Sequence, residues 1–356
     1  MAVTYPQLTN EEMLDFVRAV YPKVIKKDFS VLCQQYRDYT VADWFASGRV
    51  KEKGGSRLTW PVVYKRGASA KHANWTDPDT TSTNNVTAQG YSQWVHFTYN
   101  YSWFHQELLM ATDEGEILDL MGARRVTEQL NALDVLEGGL WGAPTSPTDG
   151  QNTPQGIPFW VQKRSSSATL NGSWDGRDPA GFSDGAGGMS YATIPESANY
   201  AAEYTVVSDD DLVRKLREAI LRMRFRKPKM LTTDLPAEGF PNPHIYTTLE
   251  MKLDLVDLAK ENNESLGWDL GKGDAETTFY KHPFDDVDFL AADTDNPIYL
   301  IDLDTIVPYV LRGDRFRETG PKMSDDKHNV YAVYEDLTYQ YACPNRRKNA
   351  VLSLAS

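Results

Sequence analysis

Tyr91-Ser-Gln-Trp-Val-His-Phe-Thr-Tyr-Asn-Tyr-Ser-Trp103 is the stretch on which the reading of this chain turns. Tyr91, Val95, Phe97, Tyr99, Tyr101 and Trp103 alternate there with Ser92, Trp94, His96, Thr98, Asn100 and Ser102. A period of two is the pattern of a β-strand with one buried face. Upstream, Leu58, Trp60, Val62 and Tyr64 alternate in the same way, and between the runs lies Gly67 to Gly90, rich in Thr, Asn, Asp and Ser. The pair reads as a hairpin with a long polar tip. A strand over 89–104 would run roughly 50 Å at about 3.3 Å per residue. A compact chain of this length has a radius of gyration of only about 20 Å. The hairpin therefore either projects or folds back, bulged, into an ordinary sheet, and the polar tip on an amphipathic stem favours projection.

Residues 1–53 read as a charged helical arm: Thr9 and Glu12 have capping-box spacing, Met13, Phe16, Val17 and Val20 form one apolar face, and Lys51-Glu-Lys-Gly-Gly ends it in a turn. After the hairpin, 113–141 predicts a long helix, with Asp113, Glu114 and Glu116 at its positive end and Val126, Leu130, Leu133, Leu136 and Leu140 at helical spacing. Gly138-Gly139 and Pro144 stop a rod of roughly 40 Å. Residues 142–208 are loop-rich, with Thr153-Pro-Gln-Gly-Ile-Pro-Phe-Trp-Val feeding a short strand and Asp184-Gly-Ala-Gly-Gly forming a flexible turn. A helix over 209–226, capped by Ser208 or Asp209, buries Leu212, Leu216, Ala219, Ile220 and Met223. A strand from Met230, a helix over 246–263, a strand from Ile298 and a strand region over 330–343 complete the pattern. Helices and strands mix without regular alternation, which is the signature of an α+β fold.

The 356 residues carry 37 Lys+Arg against 50 Asp+Glu, a net charge of −13, and 41% are hydrophobic, which excludes a wholly disordered chain. No apolar run reaches membrane-spanning length, and the first residues hold no secretion signal. Cys33 and Cys343 make neither a metal spacing nor a disulfide framework, which fits a reducing setting. The acidic balance opposes tight nucleic-acid binding by the whole molecule but permits a local basic patch. No nucleophile elbow, phosphate loop or zinc spacing is present, so no catalytic, cofactor-binding or metal-ligating residue and no cofactor are assigned. Asp302-Leu-Asp304 puts two carboxylates on one strand face, as a metal-dependent hydrolase would, but nothing supplies the remaining ligands. A basic run holds Arg214, Lys215, Arg217, Arg222, Arg224, Arg226, Lys227 and Lys229 against Glu218 alone. It reads as a contact for phosphate or an acidic partner, or as a solvated face whose cations complement the helix dipole. With 9 Trp, 19 Tyr and 13 Phe, a carbohydrate-binding or adhesion module is an alternative.

The order of parts resembles the major capsid protein of tailed bacteriophages, the Hong Kong 97 fold, over nearly the whole chain. The phrases that carry the likeness are Leu136-Glu-Gly-Gly-Leu-Trp-Gly142, Pro154-Gln-Gly-Ile-Pro-Phe-Trp160, Ala198-Asn-Tyr-Ala with Val207-Ser-Asp-Asp-Asp-Leu-Val-Arg-Lys215, and Asn296-Pro-Ile-Tyr with Leu311-Arg-Gly-Asp314. The resemblance implies an N-terminal arm at 1–53, an extended loop at 54–104, a peripheral domain with the spine helix at 105–144 and 315–356, and an axial domain at 145–314. It implies a non-enzymatic subunit that self-assembles into pentamers and hexamers of an icosahedral virion shell, put together in the host cytoplasm. Implied partners are a separate scaffolding protein, a portal protein, decoration proteins and non-specifically contacted double-stranded DNA, with no membrane. Trp60, Lys65, Arg66, Lys71, Trp75 and Trp94 are its expected assembly-interface residues, and Arg214, Lys215, Arg217, Arg222 and Arg224 its basic, partner- or DNA-facing helix.

Overall fold

The alternation at 91–103 is carried by two strands, not one. β2 (Leu58–Val63), which follows the short β1 (Lys51–Lys53), pairs antiparallel with β3 (Thr87–Ser92), while β4 (Val95–Phe104) restarts after Gln93-Trp94 and pairs with β13 (Val330–Ala342). The phase changes across the break: Gly90 and Ser92 are buried in β3, but Val95, Tyr101 and Trp103 in β4. Tyr91 is thus not on the buried face its alternation predicts. Burial switches sides of the ribbon, and a two-residue interruption lets each piece face its own core.

The computed structural model describes residues 39–66, 72, 74–76, 85–110, 114–166, 168, 170–223, 243–261, 278–279, 282–324 and 327–355. The capping box and apolar face expected over 9–20 and the strand from Met230 lie outside these residues. The chain divides into a first unit (1–48, 96–138 and 310–339) and a second (49–95, 139–309 and 340–356).

In the first unit the buried face of β4 supplies the core: Trp103 stacks on Tyr331 with centroids 6.4 Å apart, and Tyr101 lies 6.3 Å from Trp103. β11 (Val307–Leu311) leads through a turn to β12 (Arg317–Met323), which pairs antiparallel with β13 and shifts register between Thr319 and Lys322. Gly320-Pro321 sits at that shift, where proline has no amide to give the ladder. α2 (His105–Met110) continues from β4, and α3 (Glu114–Leu140) is the long helix expected, 27 residues and about 40 Å. α1 (Thr40–Ala46) buries Val41, Trp44 and Phe45. Two acids one turn apart on α3 hold it: Glu137 accepts the Val41 N–H at 2.8 Å, and Asp134 accepts from the Tyr39 hydroxyl at 2.8 Å.

The second unit is built on a seven-stranded sheet in the order β5 (Ser173–Gly176), β6 (Asn199–Tyr204), β14 (Ala350–Leu354), β10 (Ile298–Asp302), β7 (Pro243–Thr247), β9 (His282–Asp286), β8 (Thr278–Phe279). The β6–β14 and β7–β9 pairs are parallel and the others antiparallel. One face presents Tyr200, Ala202, Tyr204, Ile245, Phe284, Ile298, Leu300, Ala350 and Leu352 to the buried stripe of Leu212, Leu216, Ala219, Ile220 and Met223. That stripe belongs to α5 (Arg214–Met223) and to the π-helical turn Asp209–Val213 before it, where Ser208, one of the two cap candidates, accepts the Asp211 N–H on its Oγ. On the other face Trp141 packs 5.3 Å from Tyr246 and 5.9 Å from Tyr299.

Three local expectations are corrected. α6 begins at Leu249 (Leu249–Glu261), not at 246, because Tyr246 and Thr247 are ladder residues of β7 paired to β10 and β9. Ile157–Trp160 is a helical turn, α4, with proline at its start, and not a strand. Asp302 and Asp304 do not share a strand face: Asp302 is the buried last residue of β10, and its carboxylate receives the Asp304 N–H in the following turn. Arg346 is an interior cation, whose guanidinium donates to the carbonyls of Trp160 (2.6 Å), Arg177 (2.8 Å) and Gly176 (3.2 Å) and to Asn199 Oδ1 (3.2 Å). Burial draws its pKa down to about 10, so it stays charged at neutral pH.

Candidate assembly surfaces

The β2–β3 hairpin stands on a joint of tryptophan and glycine. Trp60 is buried and meets Trp160 edge-on at 5.9 Å. Gly90, directly across the ladder, leaves room for it, since a Cβ there would lie 2.5 Å from the Trp60 ring. The loop read as a flexible turn at Asp184-Gly-Ala-Gly-Gly is the other half of the joint. Gly187 and Gly188 both take positive φ, a Cβ on Gly188 would meet Tyr91 Cε1 at 2.2 Å, and Gly187 O accepts the Tyr91 N–H at 2.9 Å. A relay of amides fixes the strand break beside it: Ser92 Oγ donates to Gln155 Oε1, Gln155 N–H to Gln340 Oε1, and Gln340 Nε2 to Gln93 O, at 2.7–2.8 Å.

Beyond this joint the hairpin turns to solvent: Pro61, Val63, Lys65, Arg66, Thr87 and Gln89 are exposed. Its edges are closed by its own chain. Because Tyr91 N–H points away from β2 and Tyr64 N–H reaches back to Val86 O, the odd positions of both strands direct their backbone groups outward. On the β2 edge, Pro61 has no N–H to offer and Lys53 Nζ donates to Thr59 O. On the β3 edge, Asn85 Oδ1 accepts from Thr87 N–H, and Gly187 holds Tyr91. Such devices suppress edge-to-edge strand pairing.

The residues expected at an interface separate accordingly. Trp60, expected at the interface, is buried within this chain, where its ring is the hairpin's own footing. Trp94 is half-buried, its Nε1 donating to Gly55 O at 2.9 Å, whereas Lys65, Arg66 and the fully exposed Trp75 face solvent. Lys71 and Arg224 lie outside the described residues. The basic helix also divides. Lys215 binds Asp211 and donates to Glu203 O at 2.6 Å, and Arg222 pairs with Glu218 at 2.7 Å, so both are used locally. Arg214 and Arg217 are exposed and make no ion pair among the described residues. Burial alone would raise the Asp211 carboxyl, but Lys215 and the N–H groups of Thr205 and Val206 hold it well below the usual carboxylate range.

No protein-family model and no curated protein matches the chain. Solved structures do. The capsid asymmetric unit of Cyanophage A-1(L) aligns with a TM-score of 0.65 at 12% identity, over 92% of this chain and 96% of that one. The capsid of a native GTA particle aligns with a TM-score of 0.55 at 10% identity, over 96% and 99%. The capsid of Myoviridae Phage XM1 gives 0.51 at 12% identity, over 94% and 98%. The fold is the one these phage and particle capsids share. At such identities the likeness resides in the backbone, and it covers more than nine-tenths of each chain.

Within this capsid fold, sequence reasoning placed the hairpin and missed its joint. Gly187, Gly188, Gln155 and Gln340 carry no local signal, since each matters only through a partner far along the chain. Trp44, Trp60, Trp103, Trp141 and Trp160 are buried and offer no face to a sugar. No group of three His, Cys, Asp or Glu fit for a metal occurs among the described residues, and no described helix is long and apolar enough to cross a membrane.

Proposed function

We propose that this chain is the major capsid protein of a tailed phage, a structural subunit that closes an icosahedral shell of pentamers and hexamers around packaged DNA. The observation that carries this is the alignment of 92% of the chain with the capsid asymmetric unit of Cyanophage A-1(L) at a TM-score of 0.65. The hairpin adds a physical reason. Two strands alone are at best marginally stable in water, and beyond Pro61 the pair exposes Val63 and the segment joining it exposes Trp75. A neighbouring subunit is the surface against which it gains its burial. We assign the extended loop to 54–94, β4, the spine helix and 315–339 to a peripheral domain, 145–309 with the closing segment 340–356 and its β14 to an axial domain, and the residues before the loop to an arm. A scaffolding protein assists assembly in the host cytoplasm, and portal and decoration proteins join the finished head.

The test is negative-stain microscopy of the purified chain, alone and with a scaffold candidate from the same genome. Shells, tubes or five- and six-fold capsomers are expected, and a strict monomer at high concentration in both conditions would sink the reading. Replacing 68–84, which leaves β2 and β3 whole, by a short Gly-Ser linker should abolish assembly while circular dichroism stays that of the folded subunit.

A further inference from the structure

Two helices on one face of the seven-stranded sheet carry opposite charges on their outward sides. α5 packs on β6 and β14, towards one end of the strand order, and α6 packs on β9, towards the other. Opposite its buried stripe α5 presents Arg214, Arg217 and Leu221 at spacings of three and four, with Leu221 65% exposed. α6 turns Met251 inward and presents Leu249, Glu250, Leu253 and Asp254, its two leucines 51% and 55% exposed. Its Lys252 is engaged with Asp286 and does not neutralise that face. One end of the unit thus offers two arginines beside a leucine, and the other two carboxylates beside two leucines.

We propose that α5 of one copy docks on α6 of the next, Arg214 and Arg217 against Glu250 and Asp254, with Leu221 seated on Leu249 and Leu253. The proposal rests on the capsid reading. Complementary patches at different places on one molecule make a heterologous, head-to-tail contact, and such contacts close rings when the rotation between copies divides a full turn. It also decides between two occupants of the basic helix. Phosphate would pair with the arginines but leaves the exposed Leu221 and the whole α6 face without a partner, whereas a second copy covers both. The clustered charges select the partner's register more than they add raw affinity.

The experiment uses full-length protein under conditions in which the wild type forms shells, read by sedimentation velocity and negative stain. R214E/R217E and E250R/D254R should each lower the assembled fraction about tenfold or more through like-charge juxtaposition, with the subunit's circular dichroism and melting unchanged. The quadruple variant should recover assembly. An equimolar mixture of the two charge-reversed proteins should also pair, but only in alternation. Alternation closes a six-membered ring and cannot close a five-membered one, so the mixture should give tubes or sheets and no closed shells. If both reversals assemble like the wild type, the docking is wrong while the capsid reading stands. If R214E/R217E forms normal shells that lose only their DNA, the helix faces phosphate and the docking is wrong. If the wild type never assembles, the capsid reading fails and takes this proposal with it. Should a reversal unfold the subunit, R214Q/R217Q and E250Q/D254Q replace it: each should weaken assembly and flatten its salt dependence, and an unchanged salt dependence overturns the docking.

Discussion

The hairpin and the seven-stranded sheet belong to the same unit and satisfy their backbone in opposite ways. In the sheet, each inner strand has a ladder on both sides, and the five-residue stripe of α5 and its entry turn seals one face. In the hairpin, one ladder joins two strands, and the outer edges are closed by single residues: Pro61, Lys53, Asn85 and Gly187. The sheet gains its stability from many packed side chains, each buried leucine or isoleucine contributing about 1.5–3 kcal/mol. The hairpin gains its direction from one joint. Stability and reach are therefore separable in this chain, and substitutions can show it.

The largest effect is expected inside the sheet unit. Arg346→Ala leaves several buried carbonyls without donors and should cost about 3 kcal/mol or more, and Arg346→Lys should recover little, since an ammonium does not reproduce the planar fork. Thermal or urea unfolding reads this directly. If Arg346→Ala melts like the wild type, the interior of this unit is not organised around that guanidinium. Next comes the joint. Gly188→Ala adds a Cβ at a positive φ and against Tyr91, and should cost about 1–3 kcal/mol locally. Hydrogen exchange at the Tyr91 amide should speed up while amides of β10 and β14 hold. Uniform loss of protection in both regions would mean that hairpin and sheet are one cooperative block.

A smaller effect is expected at the entry to α5, where Ser208→Ala should cost about 1 kcal/mol in a urea titration. Asp211 gives the same place a pH dependence. Its native pKa is depressed, so its contribution is complete above the unfolded value of about 3.9, and it fades as pH falls below that value. Asp211→Asn should remove this acid-side slope, and an unchanged slope between pH 5 and 2 (about the range over which such a group titrates) would exclude Asp211 as its source. Least of all should Pro61→Thr change melting. It reopens an outward N–H on β2 and should appear only as concentration-dependent self-association of the subunit in light scattering, because the edge, not the core, is altered.

Much of this was readable along the chain because it is local. The alternation of Leu58, Trp60 and Val62, the length of α3, the Ser208 cap and the stripe from Leu212 to Met223 follow from periods of 2 and 3.6 and from capping chemistry. The basic run was legible as a run, but not which of its cations were spent at home on Asp211 and Glu218.

Sequence by itself determined the α+β class, the long helix, the buried stripe of α5 and the alternation of the hairpin strands, since backbone propensity and hydrophobic period act over a few neighbouring residues. Only the tertiary structure decided that the strand at 91–103 breaks at Gln93, because the break is held by Gln340 from the far end of the chain. The same holds for Trp60 as the hairpin's footing and for Gly188 as a seat for Tyr91. Alternation continues through Trp94 and so hides the break. A close approach between residues nearly a hundred or more apart leaves no local trace, because what selects the residue is the space its partner leaves.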